Sequence, residues 1–64
     1  MEGVNWGKLE GKRIFVKLNS GWKYSGVVSE VIDTGDGIIW IHLLDLFGKI
    51  VVFLSSEVVE LVEK

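Results

Sequence analysis

The chain contains no cysteine, only one histidine and no long apolar run. Without cysteine it can form neither a disulfide nor a thiolate zinc site, and one histidine is too few for a histidine-based metal cluster. The longest apolar runs, "IIWI" at 38–41 and "IVVFL" at 50–54, fall far short of the roughly 20 residues that cross a bilayer as a helix. The start, "MEGVNWGKLEGKR", lacks the apolar segment of a secretory signal. We therefore expect a soluble cytoplasmic protein with no metal, no other cofactor and no membrane partner.

Apolar residues, by contrast, are abundant and make up 48% of the 64 residues. A chain of this length supports one small domain, which would expose a large fraction of its surface. A core this small cannot hide so many apolar side chains. The composition therefore predicts one domain over residues 1–64 that associates with copies of itself.

Charge is unevenly distributed along the chain, although its net value is only −2. Residues 8–23 carry five basic side chains and one acidic one, whereas residues 24–64 carry two basic and seven acidic ones. The first segment could present a basic face on an acidic molecule, which would permit nucleic-acid binding. The alternative is a solvated surface of mixed charge with no such partner.

From residue 14 onward the pattern is typical of β-strands. In "IFVKL", Ile14, Val16 and Leu18 fall on one face of a strand and the intervening residues on the other. "IIWIHLLD" is apolar on both faces, which predicts a strand covered on both sides. The predicted strands are residues 14–18, 22–32, 38–45, 50–54 and 58–62.

Turn-forming residues separate these strands, at 19–21, 33–37, 46–49 and 55–57. Gly26 interrupts the second strand, where it marks a sharp bend. Before the strands, "NWGKLEGK" predicts one or two helical turns that begin at Asn5 as N-cap, place Trp6 and Leu9 on the sheet and end at Gly11. Five short strands without crossover helices predict an all-β fold, a strongly bent five-stranded antiparallel barrel of the SH3-like or OB type.

The stretch "VIDTGDG" at 31–37 allows three interpretations. An aspartic-peptidase triplet would need a second Asp-bearing triplet to share its proton, and the chain offers only one. A calcium loop that begins at Asp33 would need an acidic side chain at its twelfth position, where Leu44 stands. A hairpin turn fits best, because Gly35 and Gly37 tolerate positive φ and the Asp side chains can cap backbone amides.

Two segments resemble the motifs of the Sm and Lsm proteins. "GKRIFVKLNSGWKYSGVVSEV" is similar to their first motif, and "FGKIVVFLSSEVVEL" is similar to the second, in which two β-branched strands flank a tight turn. The resemblance covers roughly residues 4–62. The residues that match the first motif are Val16, Leu18, Gly21, Tyr24 and Gly26.

The resemblance implies a bent five-stranded Sm-like barrel whose fourth strand pairs with the fifth strand of the next copy, closing a homo-oligomeric ring of six or seven. The residues support this independently. Unpaired edge strands as apolar as "IVVFL" and "VVELV" would promote aggregation in a monomer, and a closed ring leaves no edge.

The uridine pocket that the resemblance would imply is not matched by this chain. The loop that would supply a stacking side chain and an amide contains Gly35, Asp36 and Gly37, and the later turn has Ser55 and Ser56 in place of arginine and glycine. Compared with the Sm motif, this chain also has one extra residue between Gly26 and Asp33. The carboxylate of Asp36 would repel a phosphate backbone, so we do not expect the pocket here.

Another nucleic-acid site is predicted around two aromatic residues of the second strand. Trp22 and Tyr24 are two apart, so both rings face one side and Lys23 the other. Exposed, they would form a stacking platform near basic side chains; buried, they would be core or interface aromatics, which is the commoner role. The candidate nucleic-acid-binding residues are Lys12, Arg13, Lys17, Trp22, Lys23 and Tyr24.

The remaining chemistry-bearing residues indicate no active site. Trp40 is interpreted as a core or subunit-interface residue and His42 as a structural histidine. Ser55 and Ser56 lack a recognisable base, so no catalytic residue is assigned. We predict a non-enzymatic Sm-like ring subunit that binds RNA or other single-stranded nucleic acid through a basic rim. The alternative is a structural or protein-interaction oligomer of the same fold.

Overall fold

A computed structural model describes all residues, 1–64, and shows five antiparallel strands in one sheet. The strand order is β4-β3-β2-β1-β5, and the only helical segments are two short 3-10 turns. This confirms the predicted all-β fold with an N-terminal helical turn. In chain order the elements are a 3-10 turn at Trp6–Leu9, β1 at Arg13–Leu18, β2 at Lys23–Asp33, β3 at Ile39–Asp45, β4 at Ile50–Leu54, a 3-10 turn at Ser55–Glu57 and β5 at Val58–Glu63.

β2 is the longest strand and is shared by two pairings. Its first half pairs with β1, in a register that aligns Gly26 with Ile14, and its second half pairs with β3, starting from Gly26 opposite Asp45. Gly26 therefore lies where the strand passes from one partner to the other. A further register shift between Val28 and Glu30 marks a bulge in the same strand.

The core lies on one face of the sheet. The alternation predicted for β1 is confirmed, since Ile14, Val16 and Leu18 are all buried. Trp6 closes the core from the N-terminal side, with its ring edge-on to Phe53 at 6.5 Å between centroids. The buried apolar residues are Trp6, Leu9, Ile14, Val16, Leu18, Val28, Ile41, Leu43, Phe53 and Val58.

The N-terminal turn matches its prediction in position but not in its cap. Trp6 and Leu9 are both buried against the sheet, and Gly11 takes a φ of 81° where the turn ends. Asn5 occupies the N-cap position, yet its side chain makes no capping hydrogen bond. The segment is a single 3-10 turn of four residues, so it has few free amides for a cap to satisfy.

β3 is covered on one face only within the chain. Ile41 and Leu43 are fully buried, whereas Trp40 and Leu44 on the outer face are 40% and 39% exposed. The prediction of a strand covered on both sides is therefore wrong for the single chain. Of the two roles given to Trp40, core and subunit interface, the core role is wrong as well. The physical reason is that the chain has no helix or second sheet to pack on the outer face. No helix is long and apolar enough to span a bilayer.

The stretch "VIDTGDG" forms a hairpin turn between β2 and β3, as predicted. The amide of Gly35 donates to the carboxylate of Asp33 at 2.9 Å, and the amide of Thr34 donates to the carbonyl of Ile38 at 3.1 Å. Gly35 and Gly37 adopt φ values of 83° and 89°. The acidic residues of this stretch thus serve the turn itself, and the structure contains no group of three potential metal-ligating side chains.

Candidate nucleic-acid interface

Trp22 and Tyr24 form a stacked pair at the start of β2. Their ring centroids are 6.5 Å apart and their planes differ by 16°. Tyr24 is half-buried and packs against the core, whereas Trp22 is 66% exposed. One ring is thus anchored and holds the other in place, so Trp22 offers a free aromatic face to a ligand.

Of the two buried roles considered for these rings, core and interface, the core role is wrong for Trp22. It precedes β2, in the turn that the amide of Leu18 closes by donating to the carbonyl of Trp22 at 2.8 Å. Trp22 lies at the end of the sheet where β2 begins, which we call the rim and which carries Lys17, Trp22, Lys23 and Tyr24. Most of the indole is left uncovered there by the rest of the chain. Tyr24 lies opposite Val16 in the β1–β2 register and so points toward the core side.

Two of the predicted lysines lie at the same end of the sheet as the aromatic pair, on the opposite face. Lys17 and Lys23 are directly opposite each other in the β1–β2 register, on the outer face of the sheet. On its other side Lys17 is opposite Glu60 of β5, which partly balances the charge. The rim therefore combines an aromatic platform on one face with two cations on the other.

Lys12 and Arg13, in contrast, are separated from that rim. Arg13 begins β1 and lies four residues from Lys17, or about 13 Å along an extended strand. The ammonium of Lys12 is 3.4 Å from the carboxylate of Glu63, so its charge is already paired. The prediction that Lys12 and Arg13 lie near the aromatic pair is therefore wrong, because β1 places them at its opposite end.

The turn between β3 and β4 adds residues that the sequence analysis did not single out. Leu46 and Phe47 are 73% and 88% exposed at the tip of this hairpin. With the start of β2 the turn forms a groove of about 190 Å³, whose lining is Lys23, Tyr24, Ser25, Asp45, Leu46 and Phe47. The sequence contains one signal for this surface, the two successive apolar residues between Asp45 and Gly48. Asp45 and Gly48 already supply the turn chemistry, so the turn does not need the apolar pair.

Hydrogen bonds to the side chain and backbone of Asp45 hold this turn in a defined shape. The carboxylate of Asp45 accepts the amide of Phe47 at 2.8 Å and that of Lys49 at 2.9 Å. The amide of Asp45 donates to the carbonyl of Lys49 at 2.9 Å, and Gly48 has a φ of 80°. Phe47 is therefore presented to solvent by a closed turn.

The other end of β2 offers a larger cavity with different chemistry. It measures about 470 Å³ and is lined in part by Trp6, Gly37, Ile39 and Ser55, with no lysine or arginine side chain. The indole nitrogen of Trp6 is buried without a hydrogen-bond partner. Its one aromatic ring belongs to the buried Trp6, so the cavity offers no exposed stacking platform.

Asp36 adds a negative charge near that cavity. A hydrogen bond from the hydroxyl of Thr34, followed by one from the amide of Ile38, lowers the pKa of the Asp36 carboxyl below its ordinary value of 3.8. The carboxylate is thus ionised at neutral pH and opposes the approach of a phosphate.

His42 lies on the outer face of β3. Its Nδ1 is 3.9 Å from the carboxylate of Glu30 on the neighbouring strand. Glu30 is largely exposed, and the hydroxyl of Ser29 donates to the carbonyl of His42 at 3.1 Å rather than to its ring. This arrangement is a cross-strand contact and shows no nucleophile paired with the imidazole.

Comparisons of the chain with protein-family models, with curated proteins and with solved structures found no match.

Proposed function

We propose that this protein is a non-catalytic, Sm-like ring subunit that binds RNA or another single-stranded nucleic acid. The observation that carries the proposal is the exposed Trp22 ring stacked on the anchored Tyr24. Stacking of bases on aromatic side chains is the usual source of affinity for single strands, and it tolerates any base. Lys17 and Lys23 lie at the same end of the sheet, on its other face, where they would supply positive charge for the phosphate backbone.

The Sm-like part of the proposal rests on strand order and on glycine placement. A five-stranded antiparallel sheet in the order β4-β3-β2-β1-β5 is consistent with an Sm or SH3-like fold. Gly26, which matches the second glycine of the Sm motif, lies where β2 changes its partner strand. The residue that is extra relative to that motif can be absorbed by the bulge between Val28 and Glu30.

The ring is proposed because both edges of the sheet are free and apolar. β4 pairs only with β3, and β5 only with β1. On β4, Ile50 and Val52 are 52% and 48% exposed. On β5, Val59 and Val62 are 53% and 46% exposed. Pairing β4 of one copy with β5 of the next would satisfy both edges, and a closed ring would leave none exposed.

Fluorescence anisotropy with oligo(U), oligo(A) and single-stranded DNA at two salt concentrations tests nucleic-acid binding. The double variant Lys17→Glu/Lys23→Glu reverses both charges and should weaken binding to all three ligands. It should also reduce the slope of log K against log salt concentration by about 0.7 for each phosphate that is no longer neutralised. Lys8→Glu is the matched control, because Lys8 is exposed in the N-terminal turn, away from the rim. Absence of binding by the unaltered protein at low salt would remove the proposal.

A second candidate function is a structural or protein-interaction ring without nucleic acid. Two observations favour it: the net charge is −2, and the β2–β3 loop carries an ionised Asp36. Purification from the native host separates the candidates. Partners that nuclease releases support the first function, whereas partners that are all protein and resist nuclease support the second.

A further inference from the structure

We infer that Phe47 is a third base-stacking residue and that the site takes an unpaired strand along a path from Trp22 across the groove to the β3–β4 turn. This inference rests on the proposed function and names residues and a path that the proposed function does not contain. It starts from the exposure of Phe47, the highest among the large apolar residues at 88%.

The exposure of Phe47 is not explained by folding. The ring is absent from the core and from the residues that pack against it. The turn does not need it either, since Asp45 accepts its amide hydrogen bonds and Gly48 supplies the positive φ. Three exposed apolar side chains, Trp22, Leu46 and Phe47, gather at one end of the sheet, and such clusters usually mark a binding surface.

The groove places aromatic side chains on both of its walls. Tyr24, which carries the stacked Trp22, lies on the β2 wall, and Phe47 lies on the wall formed by the turn. The groove volume of about 190 Å³ is below the roughly 300–1,000 Å³ of sites that enclose a whole small molecule. It suits one planar group, and a base that enters it can contact Phe47 while its neighbour stacks on Trp22.

The charges of the groove determine which side of the nucleic-acid strand faces the protein. The carboxylate of Asp45 lines the groove and would repel a phosphate, although two amides already share its charge. Lys23 lines the groove itself, and Lys49 follows the turn that forms the opposite wall; both side chains are exposed. Bases therefore face inward and phosphates outward toward the lysines. A duplex cannot adopt this arrangement because its bases are stacked inside, so the ligand is single-stranded.

Three substitutions at Phe47 separate stacking from simple apolar contact. Phe47→Ala and Phe47→Leu should each weaken binding of a fluorescent oligonucleotide of about 12 nucleotides roughly ten-fold, whereas Phe47→Trp should retain or improve it. Because the side chain is exposed, none of the three should change folding, which circular dichroism checks. Ile38→Ala is the matched control: Ile38 is 44% exposed and lies just beyond the opposite end of β2, so binding should not change.

The outcomes distinguish this inference from the proposed function. If the unaltered protein binds oligonucleotides and Phe47→Leu binds equally well, the stacking role of Phe47 is wrong and the proposed function stands. If the unaltered protein binds none, both fail. Sedimentation with phosphatidylserine vesicles tests a lipid surface as the occupant: binding to vesicles that Phe47→Ala abolishes, with oligonucleotide affinity unchanged, would also overturn the inference.

Discussion

Gly26 is the residue on which the close approach of β2 and β3 depends most directly. A Cβ at this position would overlap the carbonyl oxygen of Leu44 and would lie 2.9 Å from the Cα of Asp45. Both are backbone atoms of the paired strand, so neither can move aside without breaking the sheet. Even alanine therefore has no room where β2 passes from β1 to β3.

Gly26→Ala should lower the free energy of unfolding by about 3 kcal/mol, because β2 and β3 must separate to admit the methyl group. That is a large share of the stability of a chain this short. Urea unfolding at one fixed protein concentration measures it. Gly7→Ala is the control, since its Cβ would meet only the Asn5 side chain at 3.5 Å, and it should change stability by less than about 1 kcal/mol. Equal effects of the two substitutions would contradict the packing argument.

Thr34 and Asp36 permit a second prediction at single-residue scale. The Thr34 hydroxyl is the largest cause of the lowered pKa of the Asp36 carboxyl. Thr34→Val removes that donor and should raise the pKa of Asp36 toward its ordinary value of 3.8, as carboxyl chemical shifts followed by NMR titration would show. Thr34→Ser keeps the hydroxyl and should leave the pKa low. An unchanged pKa in the valine variant would show that the backbone amide of Ile38 dominates instead.

The same pair gives a pH dependence with a definite sign. A carboxyl whose folded-state pKa lies below its unfolded value stabilises the fold fully above the unfolded value, and this contribution is lost as pH falls through the folded value. For Asp36 the loss occurs below about pH 3.8. In urea unfolding the difference in stability between the native protein and Asp36→Asn should therefore be constant near neutral pH and shrink below that value.

At the scale of elements, the β3–β4 turn depends on one side chain. Asp45→Ala removes the acceptor for the amides of Phe47 and Lys49 and should lower the free energy of unfolding by about 1–2 kcal/mol. Asp45→Asn keeps an acceptor oxygen and should cost less. If Phe47 acts as inferred, Asp45→Ala should also weaken oligonucleotide binding, because the loosened turn no longer fixes the ring. Amide hydrogen exchange at Phe47 and Lys49 reports the loosening directly.

The strands and turns could be predicted from local pattern because their causes are local. The alternation of Ile14, Val16 and Leu18 and the turn chemistry of 33–37 act within a few residues, and both are seen in the structure. The exposure of Trp22 depends instead on what the rest of the fold leaves uncovered. A period-2 pattern assigns residues to a face but does not show where that face ends, and the separation of Arg13 from Trp22 has the same origin.

At the scale of the whole molecule, apolar residues exceed what one sheet can bury. Ten apolar residues form the core, while eleven large apolar ones are exposed, among them Trp40 and Leu44 on β3. The composition predicts this excess of apolar residues. Composition and chain length do not show, however, which surfaces of the molecule carry them. In the structure these exposed apolar residues lie on the outer face of the sheet, on the two edge strands and at the end of the sheet that carries Trp22 and Phe47. Each location suits a different contact, and the edges are the part most directly tied to self-association.

Assembly through the edges gives a prediction for the intact protein. Native mass spectrometry should show a closed homo-oligomer of six or seven copies, and Val52→Lys on β4 should convert it to monomers, because a charged side chain on an edge strand disfavours pairing with another chain. Ile32→Lys is the matched control: Ile32 is 39% exposed and lies on β2, which is not an edge strand of the sheet, so the oligomer should persist. A monomeric native protein would contradict the ring, and an oligomer that survives Val52→Lys but not Ile32→Lys would place the contact on the outer face of the sheet instead.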